Sequence, residues 1–238
     1  MPKKKQVSRK NSSQDLTQKA YQAIRQMLFY NEIMPGQKIK YKDLAGRIGV
    51  SMTPVIQALK WLEFRNIVRH EPNRGYYINE VSLKEIREVY DTRLLIEVSL
   101  IPEIMSRLDD SGLGKLKDAL ENYKAAVAED KYHKRIMTDM EFHMCLASLS
   151  DCQIQLKMLN ELFDVLLLRY SRNLFFFSVM DSSLDEHLDI FAALEKRDEK
   201  GVIEAVSHHI KHVRENIVRG MSRLVADDKE TLPDRYLF

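Results

Sequence analysis

Residues 41–66 have the sequence YKDLAGRIGVSMTPVIQALKWLEFRN, which predicts two short helices joined by a tight turn. The apolar spacing favours a helix over about Tyr41 to Ile48 that ends at Gly49, because glycine readily adopts the left-handed backbone at a helix C-terminus. Ser51 then occupies an N-cap position, and Pro54 lies in the first turn of a second helix that runs to about the end of this stretch. The pattern predicts a helix-turn-helix.

A further helix precedes this motif and a hairpin follows it. Apolar residues recur at helical spacing from Leu16 to Leu28. Short extended segments at 67–71 and 75–81 surround Pro72-Asn73-Arg74-Gly75, which is a turn signal. Three helices and a hairpin predict a winged helix-turn-helix domain over residues 15–81. The motif favours DNA binding, and the alternative is a winged helix that mediates protein contacts alone.

The charge distribution separates this domain from the remainder of the chain. The 238 residues carry a net charge of +2, but residues 1–81 contain 15 Lys and Arg against 6 Asp and Glu, whereas the remainder contains 22 against 29. A basic segment joined to an acidic body suggests a polyanionic partner for the basic segment only. Residues 1–14 hold five of the basic residues and almost no apolar ones, so we expect a basic disordered arm there.

The composition also indicates a compartment. No apolar run approaches the roughly 18 to 20 residues that a membrane span needs, and no apolar segment follows the basic N-terminus as it would in a secretory signal. Only Cys145 and Cys152 are present, which fits reduced thiols better than a disulfide framework. We therefore expect a cytoplasmic protein without a membrane partner.

From residue 82 to residue 226 the apolar spacing is helical throughout, without strand-like alternation or an internal repeat. Ser82 with Glu85 and Ser183 with Glu186 match the capping-box pattern of a helix start. The first helix contains Pro102, where we expect a bend. Further helices are predicted over about 113–130, 132–149, 154–177, 184–196 and 202–224. Residues 227–238 are a predicted tail. The predicted fold class is mainly α, with a winged helix-turn-helix followed by an all-helical bundle of six to seven helices.

Residues 138–143, Thr-Asp-Met-Glu-Phe-His, place a carboxylate and an imidazole four residues apart within an apolar helical pattern. Asp139 and His143 therefore lie on one inward face. By the same criterion, His187 and His209 fall on the apolar faces of two later helices. Buried ionisable groups are costly unless they are paired or bind a ligand. Three imidazoles and one carboxylate form a ligand set suited to zinc, nickel, manganese or iron(II).

The alternative for each histidine is a hydrogen-bonded core residue, and helical phase does not establish that the three helices converge. Four inward polar groups with one pair at i and i+4 favour a divalent metal nonetheless, and we expect zinc. Cys145 lies two residues from His143 and points elsewhere. His70 and His133 have no such neighbours, and we expect them to be surface or hydrogen-bonded residues.

Short motifs in both parts of the chain match those of a known family: Leu44-Ala45, Ile48-Gly49-Val50-Ser51, Thr53-Pro54-Val55, Ala58-Leu59, Asn73-Arg74-Gly75, Arg93, Glu97, Asp139-Met140-Glu141-Phe142-His143, Glu186-His187 and His209-Ile210. Through them the chain resembles the GntR family of bacterial transcription regulators, in the FadR-like branch with an FCD-type helical effector domain. The resemblance implies an FCD-type effector-binding domain over residues 82–226. It also implies that Asp139, His143, His187 and His209 are metal ligands.

The resemblance further implies a homodimer that places each recognition helix in the major groove of a palindromic operator. A small organic acid would enter the helical domain, bind the metal, contact Arg93 and shift the placement of the two DNA-reading heads. The candidate DNA contacts are Lys42, Arg47, Ser51, Thr53, Gln57, Lys60, Arg74 and Gly75.

The sequence departs from this family at the recognition helix. The family usually has a run like Ser-Arg-Thr-Pro-Val-Arg, where this chain has Met52 and Ile56 in place of the two arginines. Neither residue can make the bidentate guanine contact of an arginine, whereas Gln57 could bind adenine. We therefore expect an operator richer in A·T pairs and thymine-methyl contacts. A second departure is Cys152, where the family commonly has asparagine.

Three alternatives to an effector-responsive regulator remain open at this point. The metal itself could be the signal, or specific operator binding could have weakened with the loss of both arginines. The third alternative is a metal-dependent enzyme with a vestigial DNA-binding module, in which Glu141 would be the base. Helical phase turns Glu141 away from Asp139 and His143, and the sequence has no phosphate loop or nucleophile elbow. We therefore do not expect an enzyme.

Overall fold

The computed structural model describes residues 3–80, 82–169 and 183–227, with side chains described for 14–80, 82–169 and 183–222. Nine helices and three short strands lie within these ranges. The chain divides into two compact units, one of Met1–Val81 with Asp164–Arg172, and one of Ser82–Phe163 with Asn173–Phe238. The predicted fold class is confirmed. No helix in the described ranges is both long and apolar enough to span a membrane.

The first unit is a winged helix-turn-helix. Its elements are α1 (Lys3–Phe29), β1 (Lys38–Ile39), α2 (Tyr41–Ile48), α3 (Met52–Phe64), β2 (Val68–Glu71) and β3 (Gly75–Ile78). The strands form an antiparallel sheet in the order β1-β3-β2, with Lys38 opposite Tyr77 and His70 opposite Tyr76. The sequence pattern does not reveal β1, because a strand of two residues shows no measurable alternation.

The turn between α2 and α3 has the backbone that the sequence predicts. Gly49 has a φ of +73°, and its N–H donates to the Ala45 carbonyl at 3.0 Å, so α2 ends in a left-handed glycine cap. Ser51 is the N-cap of α3, but its side chain makes no capping hydrogen bond. α3 ends at Phe64, earlier than predicted, because Asn66 has a φ of 56° and lies outside the right-handed helical region.

α1 differs from its prediction at the N-terminus. It begins at Lys3, whereas the composition predicts a disordered arm over residues 1–14. Ala20, Ile24 and Leu28 are almost fully buried along one face of α1, so tertiary packing stabilises its C-terminal half. The Lys, Gln and Arg residues of the first turns are good helix formers, which allows the helix to extend in the N-terminal direction.

The second unit is entirely helical in its described residues. It contains α4 (Leu83–Arg107), α5 (Asp110–Ala128), α6 (Tyr132–Ser148), the first part of α7 (Gln153–Arg169), α8 (Leu184–Glu195) and α9 (Glu199–Asp227). α4 packs against α6 and α9, α5 packs against α6 and α8, and α8 packs against α9. The predicted continuation of α7 to Phe177 and the predicted tail beyond Asp227 lie outside the described residues.

The C-terminal end of α7 belongs to the first unit, whereas the sequence assigns it to the helical body. Leu168 is 4% exposed and lies in the same apolar core as Ile24, Leu59 and Ile78. Burial of one such side chain contributes roughly 1.5–3 kcal/mol. Sequence periodicity shows that this end of α7 has a buried face but does not show which core buries it.

The two predicted capping boxes have different outcomes. The Ser82 hydroxyl accepts a hydrogen bond from the Glu85 N–H at 3.0 Å, as predicted. The Ser183 side chain makes no capping hydrogen bond and instead lies 2.9 Å from the Tyr123 hydroxyl. Ser183 therefore marks the start of α8 by position, while its polar atoms have other partners.

Candidate metal centre and nucleic-acid interface

Three helices bring the four predicted metal ligands together inside the second unit. Asp139 and His143 come from α6, His187 from α8 and His209 from α9, and one donor atom of each lies within 4.8 Å of the others. The three imidazoles are fully buried, and the Asp139 side chain is 17% exposed. Helical phase predicts each inward face, and the packing of α6, α8 and α9 brings these faces to one point.

The outer nitrogen of each imidazole has a fixed hydrogen-bond acceptor. Each Nδ1 donates to a carboxylate or carbonyl oxygen: His143 to Glu97 at 2.6 Å, His187 to the Ser183 carbonyl at 2.7 Å, and His209 to Glu186 at 2.9 Å. Because these oxygens act as acceptors, each Nδ1 carries the proton and each Nε2 presents a lone pair. Among the residues that the structure describes, none gives these three buried Nε2 atoms a hydrogen-bond partner.

This arrangement fits a divalent metal. Buried acceptors without partners are costly, and three of them converge here on one carboxylate. The Nε2 atoms of His187 and His209 lie 3.3 Å and 3.7 Å from Asp139 Oδ1, without forming a hydrogen bond. Hydrogen bonds from Nδ1 to carboxylate or carbonyl oxygens are the usual means of orienting metal-binding histidines. Glu141 is exposed on the opposite side of α6 and does not join the cluster.

Burial sets protonation states that suit coordination. It lowers the pKa of His143 and lowers that of His209 to about 3, so both imidazoles are neutral near pH 7. Burial alone would raise the pKa of Asp139, but the neighbouring His187 and His209 bring it below its usual range. Neutral imidazoles and an ionised carboxylate are the forms that bind a metal ion.

Arg93 and Glu97 form a buried ion pair next to His143. Glu97 accepts from Arg93 Nε at 2.5 Å with one oxygen and from His143 with the other. Burial alone would raise the pKa of Glu97, but Arg93 and His143 hold it at about 2. The Arg93 guanidinium also lies 5.7 Å from the ring centre of Tyr90 and 5.0 Å from that of Phe163. Its Nη2 is buried and has no hydrogen-bond partner within the described ranges. Arg93 therefore has one donor nitrogen that its described neighbours do not use.

The substitution Glu186→Gln is expected to weaken metal binding. The Glu186 carboxylate accepts from His209 Nδ1 and lies 2.5 Å from His212 Nδ1, so one oxygen faces each imidazole. Glutamine would present an amino group to one of these N–H groups and disturb the orientation of His209. We expect a roughly 10- to 100-fold loss of metal affinity in competition with a chromogenic chelator. Asp185→Asn changes the exposed neighbouring carboxylate and should have no effect, and equal affinities of the two variants would contradict this role.

The metal-free protein is expected to lose stability as the pH falls from 7 to 5. His209 has a pKa of about 3 in the folded protein, whereas an unfolded histidine titrates near pH 6.5. Between these values only the unfolded chain takes up the proton, so the stability present above about pH 6.5 declines toward pH 3. Urea denaturation with a chelator should show a loss of roughly 1–2 kcal/mol at pH 5. His209→Asn removes this titration and should reduce the loss; an unchanged loss would assign it to other groups.

A groove on the first unit lies between α3 and the β2-β3 hairpin. It is lined by Lys38, Ile39, Lys40, Tyr41, Lys42, Met52, Ile56, Lys60, His70, Asn73, Arg74, Gly75 and Tyr76. Five of these residues are Lys or Arg, and none is Asp or Glu. The electrostatic potential of such a groove favours a polyanion such as the DNA backbone.

The groove includes half of the predicted DNA contacts. Those that line it are Lys42, Lys60, Arg74 and Gly75, and those that do not are Arg47, Ser51, Thr53 and Gln57. Ser51 and Thr53 are exposed at the start of α3. Arg47 is ion-paired with Glu32. The side-chain amide oxygen of Gln57 accepts a hydrogen bond from the Thr17 hydroxyl at 2.7 Å.

Two basic residues of the groove are absent from the predicted contacts. Lys38 and Lys40 line the groove, and Ile39 between them is 2% exposed. The sequence offers no usable signal for them, because β1 is only two residues long and Lys-Ile-Lys is too short to establish strand alternation. His70, predicted to be a surface or hydrogen-bonded residue, also lines the groove and packs against Tyr76 with ring centres 4.7 Å apart.

Comparison with known proteins gives a consistent family for both units. The FCD domain matches residues 88–212, and the gntR family of bacterial regulatory proteins matches residues 16–78. The HTH-type transcriptional repressor RspR of Escherichia coli (strain K12) is 28% identical over 208 residues, which cover 87% of this chain and 91% of RspR. These families and relatives are transcription regulators and not enzymes, so the enzyme alternative is excluded.

Solved structures share the fold. E. coli McbR/YncC superimposes with a TM-score of 0.73 at 20% identity, covering 88% of this chain and 98% of the other. A GntR transcriptional regulator from Rhodococcus sp. RHA1 also gives a TM-score of 0.73, at 18% identity, covering 85% of this chain and 97% of the other. The chain belongs to the GntR family of bacterial transcription regulators, with a GntR helix-turn-helix domain followed by an FCD domain.

Proposed function

We propose that this regulator binds a palindromic operator as a homodimer, and that a small organic acid held at a divalent metal in the FCD domain changes its affinity for DNA. The observation that carries the proposal is the convergence of three buried Nε2 lone pairs on Asp139. Zinc is the ion we expect, and nickel, manganese and iron(II) also suit the donor set. When bound, the ion would act as a Lewis acid, and the four protein donors would leave some of its coordination positions open.

The surroundings of Arg93 support an anionic effector. Its side chain is fully buried, and its Nη2 has no hydrogen-bond partner in the part of the chain that the structure describes, although Nε is paired with Glu97. A donor of this kind gains most from a charged acceptor, because hydrogen bonds to ionised groups are stronger than neutral ones. We therefore propose that Arg93 donates to the effector carboxylate. Glu97 has a separate role, since it fixes both Arg93 and His143.

The basic groove supports the DNA-binding part of the proposal. In a winged helix-turn-helix, the helix equivalent to α3 enters the major groove, and a dimer presents two such helices to two half-sites of a palindrome. An effector alters DNA affinity only if it binds one dimer arrangement more tightly than the other. The protein would act in the cytoplasm, where bacterial operators are located.

Fluorescence anisotropy with DNA from upstream of the gene tests the proposal. We expect zinc-loaded protein to prefer this duplex over a scrambled one, and one member of a panel of small carboxylates to change the affinity by roughly 5- to 150-fold. If zinc alone produced the whole change and no carboxylate added to it, the metal would be the signal. Equal affinity for native and scrambled duplexes would contradict specific regulation.

Sedimentation of the protein with and without duplex tests the assembly. A homodimer that binds one palindromic duplex is the expected species. A monomer at the concentrations that saturate the DNA would contradict the dimeric part of the proposal.

A further inference from the structure

Two apolar side chains of α3 line the basic groove of the first unit. Met52 and Ile56 share a face of α3 with Lys60, because the three residues are spaced by four. Met52 is 47% exposed, and Ile56 is half-buried. Neither residue is therefore committed to the core of the unit, unlike Val55 of the same helix, which is fully buried.

We propose that Met52 and Ile56 contact thymine methyl groups of the operator in the major groove. This inference rests on the DNA-binding function proposed above and goes further by naming the chemical group that gives sequence preference. The occupant follows from charge, since the described residues of the groove lining include five basic side chains and no carboxylate; Arg74 also pairs with Glu71 at 3.5 Å, which leaves the four lysines as the unshared positive charge. An acidic protein segment is the other polyanion with this charge, and the experiment below distinguishes the two.

The hydrogen-bonding chemistry of α3 favours methyl contacts. Met52 and Ile56 have no side-chain donor, and Lys60 offers a single ammonium group, so no groove-lining side chain of α3 can donate in the bidentate manner that selects guanine. Gln57 has the amide that selects adenine, but its carbonyl accepts from Thr17 on α1 and it does not line the groove. Apolar contact with the C5 methyl of thymine is the direct readout available to Met52 and Ile56, the two apolar residues that α3 contributes to the groove.

Selection from random duplexes followed by deoxyuridine substitution tests the inference. Each thymine of the selected half-site is replaced in turn by deoxyuridine, which removes the methyl group and keeps every hydrogen-bonding group of the base. Loss of one buried methyl group should weaken binding about fourfold. We expect this loss at one or two thymines of each half-site. When the A·T pair at such a position is replaced by G·C, the protein should bind the duplex with 5-methylcytosine more tightly than the duplex with cytosine.

Matched variants assign the effect to its residues. Met52→Ala and Ile56→Ala should each abolish the preference for thymine over deoxyuridine at one position. Alanine favours the helix, so α3 should persist in both variants. Phe64→Ala is the control, because Phe64 lies on the same helix, is 92% exposed and does not line the groove. This variant should keep the full preference.

The possible failures are distinguishable. A selected half-site anchored on guanine, or equal affinity for thymine and deoxyuridine duplexes, would overturn the methyl contacts while leaving specific DNA binding intact. Selection that returned no preferred duplex would overturn both this inference and the proposed operator binding. If an acidic peptide bound the groove at protein concentrations too low to bind the duplex, the groove would be assigned to a protein partner and the inference would be overturned.

Discussion

Replacement of His209 by alanine is expected to abolish stoichiometric metal binding. His209 is fully buried and supplies one of four donor atoms, and no described residue forms a hydrogen bond with its Nε2. Its loss removes a ligand and also leaves Glu186 without the imidazole that it orients. The loss of affinity should therefore exceed the roughly 10- to 100-fold effect of changing an outer partner. Metal content after dialysis, measured by mass spectrometry, should fall from one ion per chain to near zero.

The neighbouring residue provides a matched control. His208 lies on the same helix and its side chain is 73% exposed; its Nε2 is 3.5 Å from Glu186 Oε1, the oxygen that does not accept from His209. His208→Ala should retain one metal ion per chain. It should also show the same zinc-dependent increase in melting temperature as the unmodified protein, because an ion that binds the folded state stabilises it. If His209→Ala retained the same metal content and the same zinc-dependent increase, the four-residue centre would be wrong. Circular dichroism of both variants separates loss of the site from loss of the fold.

Replacement of Asp164 by alanine is expected to lower the free energy of unfolding by about 2–3 kcal/mol. The Asp164 side chain is 4% exposed and pairs with Arg25 at 2.5 Å and with Arg65 through its other oxygen. Both guanidinium groups also lie over the ring of Tyr21. Without Asp164 the guanidinium groups of Arg25 and Arg65 would lie close together and repel each other. The arginines are 27% and 36% exposed, so water reduces the cost below that of a fully buried pair.

Urea denaturation of the full-length protein measures this loss. Glu161→Ala removes an exposed carboxylate from the same helix and should change stability by less than about 0.5 kcal/mol. In a double-mutant cycle, Arg25→Ala should cost less in the Asp164→Ala background than in the unmodified protein, because it then relieves a repulsion. Equal stabilities of the Asp164→Ala and Glu161→Ala variants would show that the ion pairs do not stabilise the first unit.

The DNA-binding end shows where sequence reasoning is accurate and where it is not. The glycine turn, α2 and the hairpin follow from local rules, and the structure has them at the predicted places. The partner of Gln57 is not a local property, because Thr17 lies 40 residues earlier on α1. The same limitation applies to Arg47, whose ion pair with Glu32 depends on how α2 packs beside the end of α1.

In the helical unit, the sequence alone determined that Asp139, His143, His187 and His209 face inward, because helical phase is set by the local 3.6-residue period. Only the tertiary structure decided that one donor atom of each lies within 4.8 Å of the others, that each histidine Nδ1 has a fixed acceptor and that Arg93 is paired with Glu97. The two capping boxes have the same local sequence pattern but different hydrogen bonds, since Ser82 caps its helix whereas Ser183 contacts Tyr123 of α5 instead of capping α8. Local spacing sets the direction of a side chain, whereas its partner depends on packing between helices that are distant in sequence.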